Sequence, residues 1–593
     1  MFASCLRNAR ASPPARGSLS AHPPSRQLSA LPRSARWLRR AAYVVGGSGA
    51  LWFVDRQYNA SAMARTLRTF STCAMIALDY KLNFTPEMAE GIPSLHERVS
   101  ERMYDLFTSN GGLYIKIGQA FANNAALMPK PMQEKFSRLF DDAPQIPFSV
   151  VKSVFEREFG KPLTGPDGIF GEFEERAAAS ASIAQVHRAR LKTADGSEQW
   201  VAVKVQKPDV SKQVEWDLGA FRIVMWIYEN YLFDMPVYFT VDFINEHLRR
   251  ELDFELEANN ALSTAAFIAK EPRLAQKVYI PKVYPELSTK KVMVAEWIDG
   301  VRLSDRRGIR RLMGEEDYDT PAAPSSRPTA LTGGVKSVMT TMVELFSAQI
   351  FDWGWVHCDP HPGNIIIRPH PENPTAPQFV LLDHGLYVRL TKDFQRQYAT
   401  LWKGLMTLDL GVVKGVAEQW GIGAPDLFAS ATLMRPVRFA DQDKDAQNFE
   451  DLDEYQRSVL IKEKLKSFLS DTDKIPKPLI FIGRNMRIVQ GNNQSFGSPV
   501  NRIRITGYWA SRSLTEAPNL TLSERLHEHQ RYTIFRLVLL TIDLAFLWSQ
   551  FKQWLRARMG LRGEGFEDEL ERTMRGFAKS NFGIDMPEQA FEG

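Results

Sequence analysis

The sequence predicts an α+β chain folded in two lobes, with a helical extension ahead of them and a mainly helical C-terminal lobe. Three observations predict this. Glu198-Gln-Trp-Val-Ala-Val-Lys-Val-Gln206 alternates like a half-buried strand and stops just before Lys207-Pro208. A charge- and aromatic-rich helical pattern over 211–270 separates it from a second strand, Lys290-Lys-Val-Met-Val-Ala-Glu-Trp297. Farther on, two short apolar strands, Ile365–Ile367 and Phe379–Leu382, flank a Pro-rich loop over 369–377.

The remaining elements follow in order. Residues 95–160 carry apolar positions at helical spacing, with few breakers beyond Pro129, Pro131, Pro144 and Pro147. Glu315 to Gly334 is rich in Pro, Ser, Thr and Gly and reads as a loop. Val335 to Asp352 is helical, and beyond Leu390 the pattern is mainly helical to about Met559. The expected divisions are a helical extension (95–160), an N-terminal lobe (161–300), a C-terminal lobe with a helical extension (301–560) and a polar tail (561–593).

A chain of 593 residues with 44% apolar and 24% charged residues can bury a sizeable core. The net charge of +5 is too small to argue for nucleic acid. Cys5, Cys73 and Cys358 show neither disulfide pairing nor zinc spacing.

The N-terminus reads as an address. No Asp or Glu occurs from Met1 to Val54, while eight arginines lie among many Ser, Ala and Pro residues. This composition is that of a mitochondrial transit peptide, taken as residues 1–40. Ala41–Val54 is uncharged and a candidate membrane anchor, although it is short for a span and holds Gly46, Gly47 and Gly49. The expected location is the mitochondrial inner membrane, on either its matrix or its intermembrane-space side. A second apolar stretch, Thr533–Trp548, contains Arg536 and Asp543 near one helical face. Those charges are costly in a bilayer, so it reads as a packed helix or one lying on a membrane surface.

Three motifs carry chemistry. Val201-Ala-Val-Lys204 places a lysine on a strand, as in protein kinases, where it holds the α- and β-phosphates. In His357-Cys-Asp-Pro-His-Pro-Gly-Asn364, Asp359 precedes Asn364 by five, the spacing of a kinase catalytic loop. There the Asp accepts a substrate proton and the Asn holds a metal. Asp383-His-Gly385 follows its strand as the Mg²⁺-binding Asp-Phe-Gly does. Singly, each has a plainer reading: an exposed strand lysine, a Pro-rich turn, a capping Asp. His357 and His361 at i, i+4 suggest a zinc pair only on a helix, and theirs is a proline-containing loop. Together and in this order, the motifs give a two-lobed protein-kinase-like fold using ATP and Mg²⁺.

The departures are informative. No Gly-rich loop precedes Lys204; Ala177-Ala-Ala-Ser-Ala-Ser-Ile-Ala-Gln-Val-His187 stands there. No Arg precedes Asp359, and no Ala-Pro-Glu segment follows Asp383.

With these residues the chain resembles the UbiB family of atypical kinase-like proteins, also called aarF-domain-containing kinases, over roughly 95–420. The marks are Lys116-Ile-Gly-Gln119, the Ala-rich loop, Glu251-Leu-Asp253 with Glu257, and His357–Asn364. His384 and Leu386-Tyr387 make it most similar to the mitochondrial branch tied to lipid homeostasis. The resemblance implies that the Lys116 helix folds over the nucleotide pocket as a lid, with Lys116 meeting Glu251 and Asp253. It implies nucleotide contacts from Lys116, Gln119, Ala178, Ala179, Ser180, Ser182 and Lys204. It pairs Glu257 with Lys204 and makes Val294–Trp297, with Glu296 and Trp297, the adenine hinge. Asp359 and Lys204 become catalytic residues, Asn364 and Asp383 metal ligands. The implied partners are ATP and a lipid or membrane surface, not nucleic acid or a protein substrate. The implied activity is ATP hydrolysis or phosphorylation of a small or lipid-like molecule. A catalytically silent nucleotide sensor, acting as a lipid-binding or scaffold protein, stands beside it.

Overall fold

The computed structural model describes residues 33–122, 130–136, 139, 145–192, 199–233, 238–315, 330–407, 409–422, 476–515, 543–556 and 565–582, with scattered residues of 429–463, 537–541 and 558–559. The transit-peptide reading falls mostly outside them, as does most of the 315–334 loop. The chain divides into two units, Met1–Tyr58 and Asn59–Gly593.

Among the described residues the first unit holds one helix, α1 (Arg33–Tyr58), which contains the whole candidate anchor. Its apolar side chains, including Val44, Leu51, Trp52 and Phe53, are exposed. No helix among the described residues is long and apolar enough to cross a membrane. The expectation of a span at 41–54 therefore finds no support: Gly46, Gly47, Ser48 and Gly49 dilute the run, and Arg39, Arg40 and Asp55 bracket it.

The second unit begins with α2 (Ala62–Asn83), α3 (Ile92–Asn110), α4 (Leu113–Ala122), α5 (Lys130–Phe136) and α6 (Phe148–Phe159). Arg65 of α2 reaches Asp217 and the Asn110 carbonyl, all buried, so a charge fastens α2 to the body of the unit. Gly118 is required where α4 crosses α3. A Cβ there would stand 2.4 Å from Leu139 Cδ1 and 2.8 Å from Phe107 Cδ2.

The N-terminal lobe is an antiparallel sheet. Its order is β1 (Phe170–Phe173), β3 (Ala184–Leu191), β4 (Gln199–Gln206) and β6 (Val292–Glu296), with β2 (Ala179–Ser180) hairpinned onto β3. Half of the segment read as an Ala-rich loop is thus strand. The Ala181 N–H bonds to the Ala184 carbonyl, closing a tight turn over Ser182-Ile183. Apolar residues of β4 (Val201, Val203, Val205) pack under α6 with Phe155 and Phe170, while Lys204 takes the opposite face.

The 211–270 helical pattern divides into α7 (Pro208–Ile227), α8 (Phe239–Glu251) and α9 (Phe254–Lys270). The break before α9 is chemical: Asp253 Oδ1 accepts from the Leu256 N–H as an N-cap. The C-terminal lobe holds α10 (Arg306–Leu312), α11 (Gly334–Ala348), α12 (Lys392–Thr407) and α13 (Leu410–Gln419), then helices Pro478–Ser495, Arg502–Thr515 and Phe566–Phe582. The last lies in the stretch read as a polar tail; it is amphipathic and packs by Glu567, Glu571 and Phe566. Two small sheets position the chemistry. One runs β5 (Val278–Tyr279), β10 (Pro377–Leu381), β9 (Ile365–Pro369), β7 (Val301–Arg302); the other pairs β8 (Trp355–His357) with β11 (Tyr387–Arg389). The loop between β8 and β9 carries Asp359 and Asn364, and that between β10 and β11 carries Asp383.

Candidate active site

Lys204 is held in register on β4, opposite Val186 of β3 and Met293 of β6. Its Nζ lies 2.7 Å from both carboxylate oxygens of Glu257, one turn into α9. Burial alone would favour a neutral amine, but Glu257 and then Asp383 outweigh it and keep Lys204 protonated. The lysine thus faces one carboxylate from the helix and another from the β10–β11 loop.

Asp383 Oδ1 accepts from the Gly385 N–H at 2.9 Å. Burial opposes its charge; Lys204, the Gly385 N–H and Lys116 overcome it and hold the carboxyl far below the usual range. His384 stands where kinases have Phe. It bonds through Nδ1 to the Tyr387 hydroxyl at 2.9 Å, and its Nε2 lies 3.2 Å from the Leu381 carbonyl. Burial, with the neighbouring His357, pushes its pKa down to about 3, so it is a neutral packing residue. His357 is also buried and neutral: Nδ1 accepts from the Asp359 N–H, so Nε2–H donates to the Asp383 carbonyl at 2.8 Å. One imidazole thereby ties the two loops together. Cys358 is buried, its thiol pushed well up by that burial, and packs against Leu386 and Phe481.

Asn364 ends the 3-10 turn just before β9; its N–H bonds to the His361 carbonyl, and its own carbonyl accepts from the Leu382 N–H. Its side-chain amide and the Asp383 carboxylate each offer oxygen from one of the two loops, beside the Asp359 carboxylate that Arg484 engages. Among the described residues no three His, Cys, Asp or Glu group to hold a metal. One carboxylate and one amide suit an ion that keeps waters and shares phosphate oxygens.

A residue that sequence reading missed meets Asp359. Arg484, on the Pro478–Ser495 helix, donates from Nη2 to Asp359 Oδ1 at 3.0 Å. The same helix donates from Asn485 Nδ2 to the His357 carbonyl at 2.6 Å. The signal was present: Arg484-Asn485 and Gln490–Ser495 are polar in a segment otherwise read as core helix. Burial raises the Asp359 pKa, while Arg484 and then Lys116 lower it below the ordinary value. Arg484→Ala is therefore expected to move the acid limb of any pH–rate profile to higher pH, with nucleotide affinity unchanged. A profile that stays in place would show that the pair only braces the loop.

The lid contacts are partly rearranged from expectation. Lys116 Nζ meets Glu251 Oε2 at 3.0 Å, and its charge also acts on Asp359 and Asp383. Asp253 is not its partner; it is occupied as the cap of α9. Gln119 Nε2 donates to the Leu139 carbonyl at 2.9 Å, so it ties α4 to the chain that follows it. In the hairpin, the Ala178 N–H bonds to the Val186 carbonyl, Ala179 and Ser180 pair along β3, and Ser182 Oγ is buried without a partner. At the hinge, the Glu296 N–H bonds to the Lys282 carbonyl and the Trp297 N–H to that of Trp200. Both N–H groups are thus engaged within the protein, so an adenine contact by these two residues would not use them. The Glu296 carboxylate meets the Tyr279 hydroxyl and the Lys282 N–H instead.

The convergence of Lys204, Glu257 and Asp383, with Lys116 acting on both Asp359 and Asp383, agrees with similarity over the same residues. Residues 138–417 match the model of the ABC1 atypical kinase-like domain. An ABC1 family protein of Schizosaccharomyces pombe is 38% identical over 491 residues, covering 83% of this chain and 86% of that one. The chain belongs to the ABC1 family of atypical kinase-like proteins. The ABC1 family protein lscO of Purpureocillium lilacinum is 38% identical over 542 residues, 88% of this chain and 87% of its own. AarF domain-containing protein kinase 1 of Xenopus laevis is 34% identical over 367 residues, 61% and 65% of the two chains. The match to the domain model ends at residue 417, so Arg484 reaches Asp359 from a helix beyond the matched residues.

Proposed function

We propose that this ABC1 protein binds Mg²⁺–ATP between its lobes and hydrolyses it or passes the γ-phosphoryl group to a small or lipid-like molecule, at a mitochondrial membrane and in support of its lipid homeostasis. The observation that carries the proposal is the Lys204–Glu257 pair facing Asp383. A protonated lysine and an ionised carboxylate are the charges that triphosphate and metal need.

The residues fit both groups. Ser182 Oγ, buried and unpartnered in the hairpin that replaces a Gly-rich loop, is a spare donor for a phosphate. Asp383 and Asn364 would hold the metal, and Lys204 the α- and β-phosphates. The metal, when bound, offsets charge developing on the phosphoryl oxygens. Asp359 would take the proton from an attacking water or hydroxyl. Lys116, held over the carboxylates by Glu251, favours a small acceptor over a protein chain.

A second reading has its own observation. Arg484 already engages Asp359, the candidate base, as expected of a nucleotide sensor that does not turn over. Nucleotide binding and phosphate release by the full chain separate the two, with Mg²⁺ or EDTA and with or without anionic vesicles. The enzyme reading expects Mg²⁺-dependent binding and slow release, with Asp359→Asn abolishing release but not binding. Binding without release under every condition favours the sensor, and no binding at all sinks both.

A further inference from the structure

We propose that the outer face of the helix over 543–556 is a docking surface for an anionic lipid bilayer. The proposal deepens the membrane part of the reading above by naming the surface, and it does not depend on nucleotide chemistry.

The helix has two different faces. The inner one is docked: Phe546 packs edge-on against Phe566 at 5.5 Å, Ser549 Oγ bonds to Glu569 at 3.1 Å, and Asp543 pairs with Arg504 at 3.0 Å. The outer one presents Leu544, Leu547, Trp548, Phe551, Trp554 and Leu555, each 44–61% exposed. Steps of three, one, three, three and one put these six on one helical stripe. Trp548 stacks on Phe551 at 5.8 Å, and Phe551 on Trp554 at 5.9 Å, so the face is a continuous aromatic ridge. Leu537, Leu540 and Met559 are exposed beyond its two ends. Scattered surface leucines need no explanation, but a ridge of this size marks an interaction site.

Charge selects the occupant. Residues 531–562 contain six cations (Arg531, Arg536, Lys552, Arg556, Arg558, Arg562) and one acid, Asp543, which lies on the docked face; Lys552 is paired with Glu569, so the excess rests on the arginines. Arg558 lies 4.9 Å over the Trp554 ring, beside the ridge. Trp, Phe and Leu on one face with basic residues at its margin is the pattern of a helix that lies in the plane of an anionic membrane surface. A second copy of the chain is disfavoured, because a twofold interface here would set the same cations against each other. Among the described residues no helix, this one included, is long and apolar enough to cross a membrane.

The test uses the full chain with an environment-sensitive dye on Phe551→Cys, and a control dye on Lys414→Cys, which sits on the exposed side of α13. The vesicles are phosphatidylcholine alone or phosphatidylcholine with phosphatidylglycerol. The expected result is a blue-shifted, brighter emission at 551 with the anionic vesicles only, weakened by salt, and none at 414. The triple substitution Trp548→Glu, Phe551→Glu, Trp554→Glu should weaken co-flotation about tenfold or more. Its melting and nucleotide binding should match wild type, because these side chains face solvent. An unchanged emission at 551, or full flotation of the triple variant, overturns the proposal. So does a dimer that dissociates on the triple substitution, which would mean that a second copy covers the ridge.

Discussion

Asp383→Asn is expected to lower Mg²⁺-dependent nucleotide affinity at least about a hundredfold, or ~2.7 kcal/mol. The substitution is nearly isosteric, and an asparagine oxygen still accepts the Gly385 N–H that Asp383 now accepts at 2.9 Å. The loop therefore keeps its shape and the change is one of charge. Lys204 and Lys116 both hold the Asp383 carboxyl below its usual range, so the wild-type ligand is ionised throughout the neutral and mildly acid range. Its removal leaves the neutral amide of Asn364, beside the Asp359 carboxylate that Arg484 engages, and leaves two lysines with less compensation. Calorimetric titration with ATP, with and without Mg²⁺, reads the effect. A residual metal-independent affinity through Lys204 should survive in the variant. An Mg²⁺-dependent affinity close to wild type would remove Asp383 from metal binding. The depressed pKa also sets a sign for pH. A carboxylate lowered by folding stabilises the native state above its unfolded pKa, near 3.9, and loses that contribution as pH falls below it.

Glu567→Ala is expected to destabilise the protein by about 3–5 kcal/mol, because it removes a fully buried carboxylate that pairs with a buried guanidinium. Arg502 is 1% exposed and Glu567 0% exposed. Their ion pair closes at 2.9 Å, and Asn493 donates to the same Glu567 oxygen at 3.3 Å. The Glu567 N–H bonds to Ser498 Oγ, anchoring the start of the last helix. Denaturant unfolding measures the loss. Replacing both partners by apolar residues of similar size should recover most of it, since the cost lies in keeping the buried Arg502 charge after its Glu567 pair is lost. A loss below about 1 kcal/mol, the usual value of an exposed pair, would show that water reaches Arg502. The same pair explains why the stretch after residue 560 is part of the fold.

The site was legible in the sequence where its chemistry is local. Lys204 sits in an alternating strand, and period two puts it on the face opposite Val203 and Val205. Asp359, Asn364 and Asp383 lie in short loops whose flanking strands are marked by Ile365–Ile367 and Phe379–Leu381. Glu257 could be paired with Lys204 only through the family resemblance, since 53 residues separate them and no local rule measures that distance. The hinge and lid were harder for a physical reason. Whether the Trp297 N–H is free depends on where Trp200 falls, and whether Asp253 meets Lys116 depends on its competing role as a cap. Side-chain capping is visible from sequence only once the helix start is known, and 211–270 read as one run without that break.

The sequence by itself determined the two-lobed α+β order, the family and the positions of Lys204, Asp359, Asn364 and Asp383 on a strand and two short loops. These rest on residue type and short spacing along the chain. Tertiary structure alone decided that Arg484 meets Asp359, that Gln119 ties α4 to the chain that follows it, that Arg502 depends on Glu567, and that one face of the 543–556 helix stays uncovered. Each of these is a contact, or the lack of one, between segments far apart in the chain. Helical periodicity tells which residues share a face, but only packing decides whether that face finds a partner.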